Sequence, residues 1–524
     1  MASRRDELNA YTFARKRTVG AFLQPAGGGS DEDAPRPIRA VLPSLVMAVV
    51  AVAGFGLWGL IKPTAPQGWD NGKNVILGKD STTRYVVLTS ADGTKMLHPV
   101  LNMSSAKLVL PADSSVVIVA DSAIDNYKAH GPTIGIPYAP DKLPSAADAG
   151  TAKKWSVCDR PGSDDSHPNQ GVFVTAGADA ATLARPDRML NASQSLWVQA
   201  VQKNGAPGTQ YLVDSAGRGH VIGTPGMSDS DLRALRIALF GNQAKPEQVT
   251  DDWLGTLDLQ GSAIGFPQVP GMTAAKTRSS VQLSDSSLNY VGRLVSSQGT
   301  YYVVGTDRLY QVTPFEAELI RQAPITGYAY DQGNPTVTEI TPADNARYGR
   351  DFDTSGPMAK VSDWPTAKPV APVNGGDPAA ARPVICSTLE GMNGGTAQRS
   401  VWAGTDFPAA FVPGSASAYV SPGHGLFYRA VDASAQGSGS DYLVTETGLR
   451  YFVPAGNDGP ASGASPTPAP SASPPSDSQQ QVNEAQARLG YKDTTPVLVP
   501  RAWSDLIPAG PALNTKAALQ EQTS

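Results

Sequence analysis

The chain has 524 residues, of which 40% are hydrophobic and 17% charged, a balance typical of a globular protein and not of a disordered one. Its 52 glycines and 44 prolines predict many turns and loops. A net charge of −5 is too small to indicate nucleic acid as a partner of the whole chain.

Residues 1–39 form a basic arm. Apolar side chains recur in it roughly at helical spacing, which predicts an amphipathic helix that ends before the glycines at 27–29. The apolar positions are Leu8, Tyr11, Val19 and Phe22. Two interpretations stay open: charge that only sets membrane topology, or a helix that lies on the inner membrane face or against a cytosolic partner. For the second, the candidate contact residues are Arg15, Lys16, Arg17 and Phe22.

An uncharged apolar segment follows, from Ala40 to Ile61. As a helix it would span about 33 Å, enough for a bilayer core of about 30 Å. The alternatives are a buried core helix or a cleaved signal peptide, whose apolar region is usually shorter. The arm carries seven Arg or Lys residues, whereas the 20 residues after Ile61 carry three. We therefore predict one transmembrane helix, with the N-terminus cytoplasmic and the bulk of the chain outside.

Residues 62–509 contain an internal duplication. The segment from Ser195 resembles the segment from Gly425 at an offset of about 230, and the segment from Arg84 resembles more weakly the segment from Thr300. Each copy reads as strand, turn and strand, and a helical or apolar segment follows at least three of them. The predicted repeats lie near 75–128, 205–275, 295–345 and 440–513, with a mainly β central core from 130–204 and 346–439.

The order of these segments predicts two halves related by approximate two-fold symmetry. A Pro/Ser-rich stretch at 457–480 interrupts the last repeat and is expected to be an extended insertion, and 510–524 form a C-terminal tail. Cys158 and Cys386 lie 228 residues apart, close to the repeat offset, each between the two repeats of its own half. Outside the cell two thiols pair more often than they stay free, so we predict a Cys158–Cys386 disulfide that joins the halves.

Motifs for catalysis are missing from the sequence. It contains no G-x-x-x-x-G-K-[ST] phosphate loop, no G-x-S-x-G, no H-E-x-x-H and no Cys–His metal spacing. Carboxylates are plentiful, but nothing singles one out. We therefore predict no catalytic, cofactor-binding or metal-binding residue.

Four segments resemble the EccB family, a membrane component of the actinobacterial type VII (ESX) secretion system. They are the arm from Arg4, the apolar segment, the stretch from Trp69 to Pro111, and the ending VPRAWSDLIPAGPALN from Val499. The resemblance covers nearly the whole chain and departs mainly in the insertion. It implies a cytosolic helix, one span, and an elongated periplasmic domain of four repeats around a central core that holds a disulfide.

The resemblance also implies partners: EccC, EccD and EccE type components, the lipid bilayer, and a second copy of the chain in the periplasm. The fold class we expect is α+β, and the function is a structural component that anchors and braces the export machine. One alternative is a cell-wall anchor, since the family's repeats are similar to phage-lysin modules. Another is a nucleotide hydrolase, because some family members are described as ATPases. ATP is then the only cofactor implied, although no phosphate loop is present.

Overall fold

The computed structural model describes residues 4–23, 38–61, 65–90, 92–162, 168–202, 207–242, 244–331, 333–368, 372–375, 381–410, 418–432, 437–455 and 483–522. For residues 38–42, 54 and 56–61 only the backbone is described. The predicted insertion at 457–480 lies outside the described residues.

The described residues form an α+β protein with many short strands. The helices are α1 (Arg4–Leu23), α2 (Ile38–Ile61), α3 (Met103–Val109), α4 (Asp121–Asp125), α5 (Ala146–Ala149), α6 (Gly177–Leu183), α7 (Asp229–Phe240), α8 (Asp251–Gly255), α9 (Pro314–Gln322), α10 (Pro342–Tyr348), α11 (Glu484–Leu489), α12 (Arg501–Ser504) and α13 (Thr515–Ala518). The strands are β1 (Asn74–Gly78), β2 (Arg84–Thr89), β3 (Lys95–Val100), β4 (Ser115–Val119), β5 (Lys154–Arg160), β6 (Asn169–Thr175), β7 (Leu196–Ala200), β8 (Gln210–Val213), β9 (Arg218–Ile222), β10 (Glu247–Val249), β11 (Asp258–Ile264), β12 (Leu294–Ser297), β13 (Thr300–Val304), β14 (Leu309–Val312), β15 (Val337–Glu339), β16 (Gly349–Arg350), β17 (Val384–Asn393), β18 (Thr396–Gly404), β19 (Tyr419–Val420), β20 (Gly425–Val431), β21 (Gly439–Thr445), β22 (Arg450–Val453) and β23 (Val497–Pro500).

Four of the five sheets share one topology, and we call them repeats 1 to 4. In each, three consecutive strands form an antiparallel meander, a helix follows, and a fourth strand returns parallel to the first. A helical crossover is the usual way to bring a strand back parallel to an earlier one. Repeat 1 is β1–β4 with α3, repeat 2 is β7–β11 with α7, repeat 3 is β12–β16 with α9, and repeat 4 is β20–β23 with α11.

Repeats 2 and 4 begin earlier than the sequence indicated. Their first strands start at Leu196 and Gly425, in stretches that the prediction gave to the central core. The reason is strand pairing: Leu196 lies opposite Val213, and Leu426 lies opposite Val444, so both strands complete the meander of a repeat. They are also the segments in which the duplication was recognised.

The fifth sheet is the central one, and both halves of the chain contribute to it. Its strand order is β18-β17-β5-β6-β19, with the neighbours β17 and β5 antiparallel at its middle. Against it pack repeats 2 and 4, in the largest hydrophobic cluster of the described residues. Trp253 and Trp503 occupy matching places there, each four residues after a buried valine, Val249 and Val499.

The outer repeats attach to the inner ones through helices. α3 of repeat 1 contacts α11 of repeat 4, and α7 of repeat 2 contacts α9 of repeat 3. Leu108 and Leu489 are buried in the first contact, and Leu239 and Leu319 in the second. The order of contacts is therefore repeat 1, repeat 4, central sheet, repeat 2, repeat 3, as the approximate two-fold relation of the halves requires.

The segment predicted as a C-terminal tail, 510–524, packs onto two repeats as far as residue 522. Leu513 and Ala518 are buried with residues of repeats 1 and 4, and Gln522 donates its backbone N–H to the carbonyl of Thr133. Ile134 bridges both to Val100 at the end of β3 and to Glu521. Through these two bridges, Ile134 joins the C-terminal segment to the edge of repeat 1.

Candidate functional site

The disulfide lies at the centre of the middle sheet. Cys158 of β5 and Cys386 of β17 face each other directly in the antiparallel register, and the structure joins them by a disulfide. Both are fully buried, and Phe173 and Trp402 pack against them. Because β5 and β17 come from different halves, the bond links the halves at their approximate two-fold axis.

Next to the disulfide, the half that holds repeat 2 contains a buried carboxylic acid. Asp159 accepts hydrogen bonds from the backbone N–H of Thr250 at 2.7 Å and from its hydroxyl at 2.9 Å, through one oxygen. Its other oxygen has no partner in the described structure. Burial raises the pKa of Asp159 to about 6, against the hydrogen bonds from Thr250, which lower it.

A second buried acid, Glu247 at the start of β10, lies in the same region. The side-chain amide of Asn374 donates to Glu247 at 2.9 Å and to the Trp197 carbonyl at 3.0 Å. Burial raises the pKa of Glu247 well above its usual value, and the charge of Asp159 raises it further. The Asp159–Thr250 hydrogen bonds tie the central sheet to repeat 2, and those of Asn374 tie repeat 2 to the segment 372–375.

The other half of the molecule has no counterpart of this pair among the described residues. Under the relation that superposes Cys158 on Cys386, Asp159 corresponds to Ser387, and repeat 4 has Val497 and Pro500 where repeat 2 has Glu247 and Thr250. The acids were missed by sequence reasoning. The signal for Asp159 was its place directly after a cysteine in the apolar strand KWSVCDR, where a charged side chain has to be buried.

The predicted N-terminal helix is present as α1, but its apolar and charged side chains do not separate onto two faces as an amphipathic helix requires, and none of its residues is buried. Phe22 is 91% exposed, and Leu8, Tyr11 and Val19 are also on the surface. Arg15 lies one helical turn after Tyr11 and one before Val19, so its guanidinium stem divides the predicted apolar stripe. The face is therefore mixed, apolar with a central cation, and Arg15, Lys16, Arg17 and Phe22 stay candidates for contact with a partner or a membrane.

The predicted span coincides with helix α2, whose bounds Ile38–Ile61 enclose the predicted ends Ala40 and Ile61. Counted over the side chains that the structure describes, no helix is long and apolar enough to cross a bilayer. The transmembrane helix stays a prediction.

No group of three or more His, Cys, Asp or Glu side chains converges as a metal site within the described part of the chain. The described residues form a duplicated repeat scaffold. It has two sheets on each side of a disulfide-bridged central sheet, and helices at its N-terminus.

The chain belongs to the EccB family of type VII secretion. The family model described as "Type VII secretion system ESX-1, transport TM domain B" matches residues 1–524. Among similar proteins is the "ESX-3 secretion system ATPase EccB3" of Mycolicibacterium smegmatis, 27% identical over 92% of this chain and 83% of its own length. Another is the "ESX-5 secretion system ATPase EccB5" of Mycobacterium marinum, 26% identical over 99% of this chain and 93% of its own length.

Solved structures share the fold. A chain of an intact ESX-5 inner membrane complex matches 100% of this chain and 96% of its own, with a TM-score of 0.54 and 23% identity. The EccB3 dimer from the ESX-3 core complex matches 85% of this chain and 99% of its own, with a TM-score of 0.55 and 21% identity. The resemblance recognised from the sequence is thereby confirmed.

Proposed function

We propose that this protein is the EccB-type structural component of a type VII secretion core complex, anchored by one transmembrane helix and bracing the machine on the periplasmic side. The observation that carries the proposal is the family match over all 524 residues. The five-sheet architecture supports it, since similar chains occur within ESX inner membrane complexes.

The anchor is residues 40–61 within the continuous helix α2. An apolar run of this length meets the thickness of a bilayer core, and the excess of Lys and Arg in residues 1–39 favours a cytoplasmic N-terminus. The periplasmic part begins at residue 62. Disulfides persist in such oxidising compartments, and the Cys158–Cys386 bond agrees with that location.

The partners we propose are EccC, EccD and EccE type components, a second copy of this chain, and the lipid bilayer. The cytosolic contact runs through α1, whose exposed Phe22 and basic block Arg15–Arg17 offer both apolar and charged contacts. We assign no catalytic residue and no cofactor to the chain, although its relatives carry the word ATPase in their names.

Deletion of the gene, followed by measurement of proteins exported into the medium, tests this function. We expect export by the cognate system to stop and to return with the full-length chain. A chain lacking residues 4–23 is expected to restore membrane-bound protein but not export, because it keeps the anchor and loses the cytosolic contact.

One control variant sharpens the test. A chain with Arg4→Gln and Arg5→Gln removes two charges from the start of α1 and leaves the Arg15–Arg17 block intact, so it is expected to restore export. Normal export in the deletion strain would refute the proposal.

A further inference from the structure

An open cleft of about 660 Å³ lies where repeat 1 meets repeat 4. Its wall combines Ala112 of repeat 1, residues 146, 147, 150 and 151 in and after α5, and residues of α11 and the segment that follows it. The side chains are small or polar, and the charged ones are Lys492 and Asp493. Thr494 and Thr495 add hydroxyl groups that can donate hydrogen bonds.

Lys107 of α3 stands directly behind this wall. A Cβ placed on Gly490, a residue of the cleft, would lie 3.4 Å from the Lys107 ammonium nitrogen. The side chain is half-buried, and burial lowers the pKa of Lys107. Within the described structure its ammonium group has neither an ion pair nor a hydrogen bond. Such a charge lacks the compensation that buried ions normally have.

Repeat 3 also has a charged residue at the position in its helix that corresponds to Lys107. Lys107 is the fifth residue after the N-cap Asn102 of α3, and Glu318 is the fifth after the N-cap Thr313 of α9. The next residue in each helix, Leu108 or Leu319, is fully buried against the neighbouring repeat, which supports the alignment.

At that position in repeat 3, the chain supplies its own counter-charges. Glu318 accepts hydrogen bonds from Arg321 and Gln322, and the Lys368 ammonium lies 3.6 Å away. In repeat 1 the charge has the opposite sign, no partner of its own, and an open cleft beside it. The contrast indicates that the described residues do not supply the partner of Lys107.

We propose that the cleft between repeats 1 and 4 binds the oxyanion of a small ligand, a carboxylate or a phosphate, with Lys107 and Lys492 as its cations. In the wall itself Lys492 and Asp493 balance each other, so the excess positive charge comes from Lys107 behind Gly490. The small residues Ala112, Ala146, Ala147 and Gly150 leave room for the rest of the ligand. Because repeats 1 and 4 both line the cleft, a bound anion also strengthens their contact. This inference does not rest on the proposed role in secretion.

Calorimetric titration of the full chain, purified in detergent, tests the site. The probes are inorganic phosphate and N-acetyl-Ala-Ala with a free carboxylate, and the neutral amide of the same dipeptide is the control. We expect saturable binding of at least one anion and none of the amide. The anion that binds more tightly shows whether the oxyanion of the ligand is a phosphate or a carboxylate. Absence of saturable binding by both anions would overturn the proposal.

Variants separate the site from general charge effects. Lys107→Met keeps the length of the stem and is expected to weaken anion binding at least tenfold, while Lys107→Arg retains it. Lys128→Met, an exposed lysine of the same part of the chain outside the cleft wall, is the matched control and should bind as wild type does. Equal affinity of Lys107→Met and wild type also overturns the proposal.

Folding of Lys107→Met is checked by its thermal midpoint in anion-free buffer. We expect a midpoint equal to or above that of wild type, because an uncompensated ammonium is removed. Should that variant fail to fold, the exposed Lys492→Gln decides the matter. A several-fold loss of affinity supports the site, and unchanged affinity refutes it.

Discussion

At the scale of single residues, the most unusual feature is a buried acid beside the disulfide. Asp159 is fully buried, accepts two hydrogen bonds from Thr250, and has one oxygen without a partner among the described residues. Its ionised form is therefore poorly compensated, which is why its pKa lies near 6. An acid in this state opposes folding at neutral pH and does so less in mild acid.

The sign of this effect follows from proton linkage. Between about pH 4 and pH 6 the folded chain holds the Asp159 proton while the unfolded chain releases it, so the stability that Asp159 contributes falls as the pH rises. Above about pH 6 the full cost applies, up to about 3 kcal/mol from a shift of about two pKa units.

We expect Asp159→Asn to raise the free energy of unfolding at pH 7.5 by about 1–2 kcal/mol and to leave it nearly unchanged at pH 4.5. The amide oxygen can still accept from Thr250, but the new N–H₂ group needs an acceptor, which reduces the gain. Urea denaturation at the two pH values measures the difference. Asp113→Asn, at an exposed position, is the control. Equal effects of Asp159→Asn at both pH values would contradict the raised pKa of Asp159.

At the scale of elements, the four repeats differ in what covers their helices. α3 of repeat 1 packs against α11 and also against α13 of the C-terminal segment, whereas α9 of repeat 3 packs against α7. The segment after residue 509 therefore holds repeat 1 to repeat 4. Arg488 of α11 strengthens the same junction by donating to the Leu108 carbonyl at 2.7 Å.

This role of the C-terminal segment predicts unequal effects at its two leucines. Leu513 is fully buried and Leu519 is 46% exposed. We expect Leu513→Ala to lower the free energy of unfolding by about 2–4 kcal/mol through a cavity in the core of repeat 4. Leu519→Ala, the matched control, should change it by less than about 1 kcal/mol. Denaturant midpoints of the full chain measure both, and equal effects would show that the segment is only loosely attached.

At the scale of the whole molecule, the disulfide and the central sheet determine how the halves relate. The loop that the bond closes spans 228 residues and includes all of repeats 2 and 3. In the chain-entropy model, closing so long a loop contributes about 4–5 kcal/mol. The register that places Cys158 opposite Cys386 also aligns two strands that are far apart in the chain.

Replacing both cysteines by alanine is therefore expected to lower the free energy of unfolding by up to about 4–5 kcal/mol. The denaturation midpoint falls with it. Wild type treated with dithiothreitol should approach the same midpoint, and the double variant should not respond to the reductant. Peptide mapping without reductant gives the direct check, because two free thiols in the exported protein would contradict the bond.

Much of this organisation is predictable from local pattern. The duplication was visible because equivalent strands such as those from Leu196 and Leu426 need the same buried residues. The helix at 4–23 and the cysteine pairing follow from helical spacing and from the repeat offset. Boundaries were less accurate, since the first strand of a repeat is recognisable as part of it only through its pairing partners.

What the sequence by itself determined is the repeat pattern, the basic arm, the apolar segment and the family likeness, because each depends on residues near one another or on direct comparison of segments. What only the tertiary structure decided are contacts between distant segments: the Asp159–Thr250 hydrogen bonds, the attachment of residues 510–522 to repeat 1, and the position of Lys107 behind Gly490 of the cleft. Burial and compensation of a charge are set by neighbours that lie far away in the chain, so no local pattern shows them.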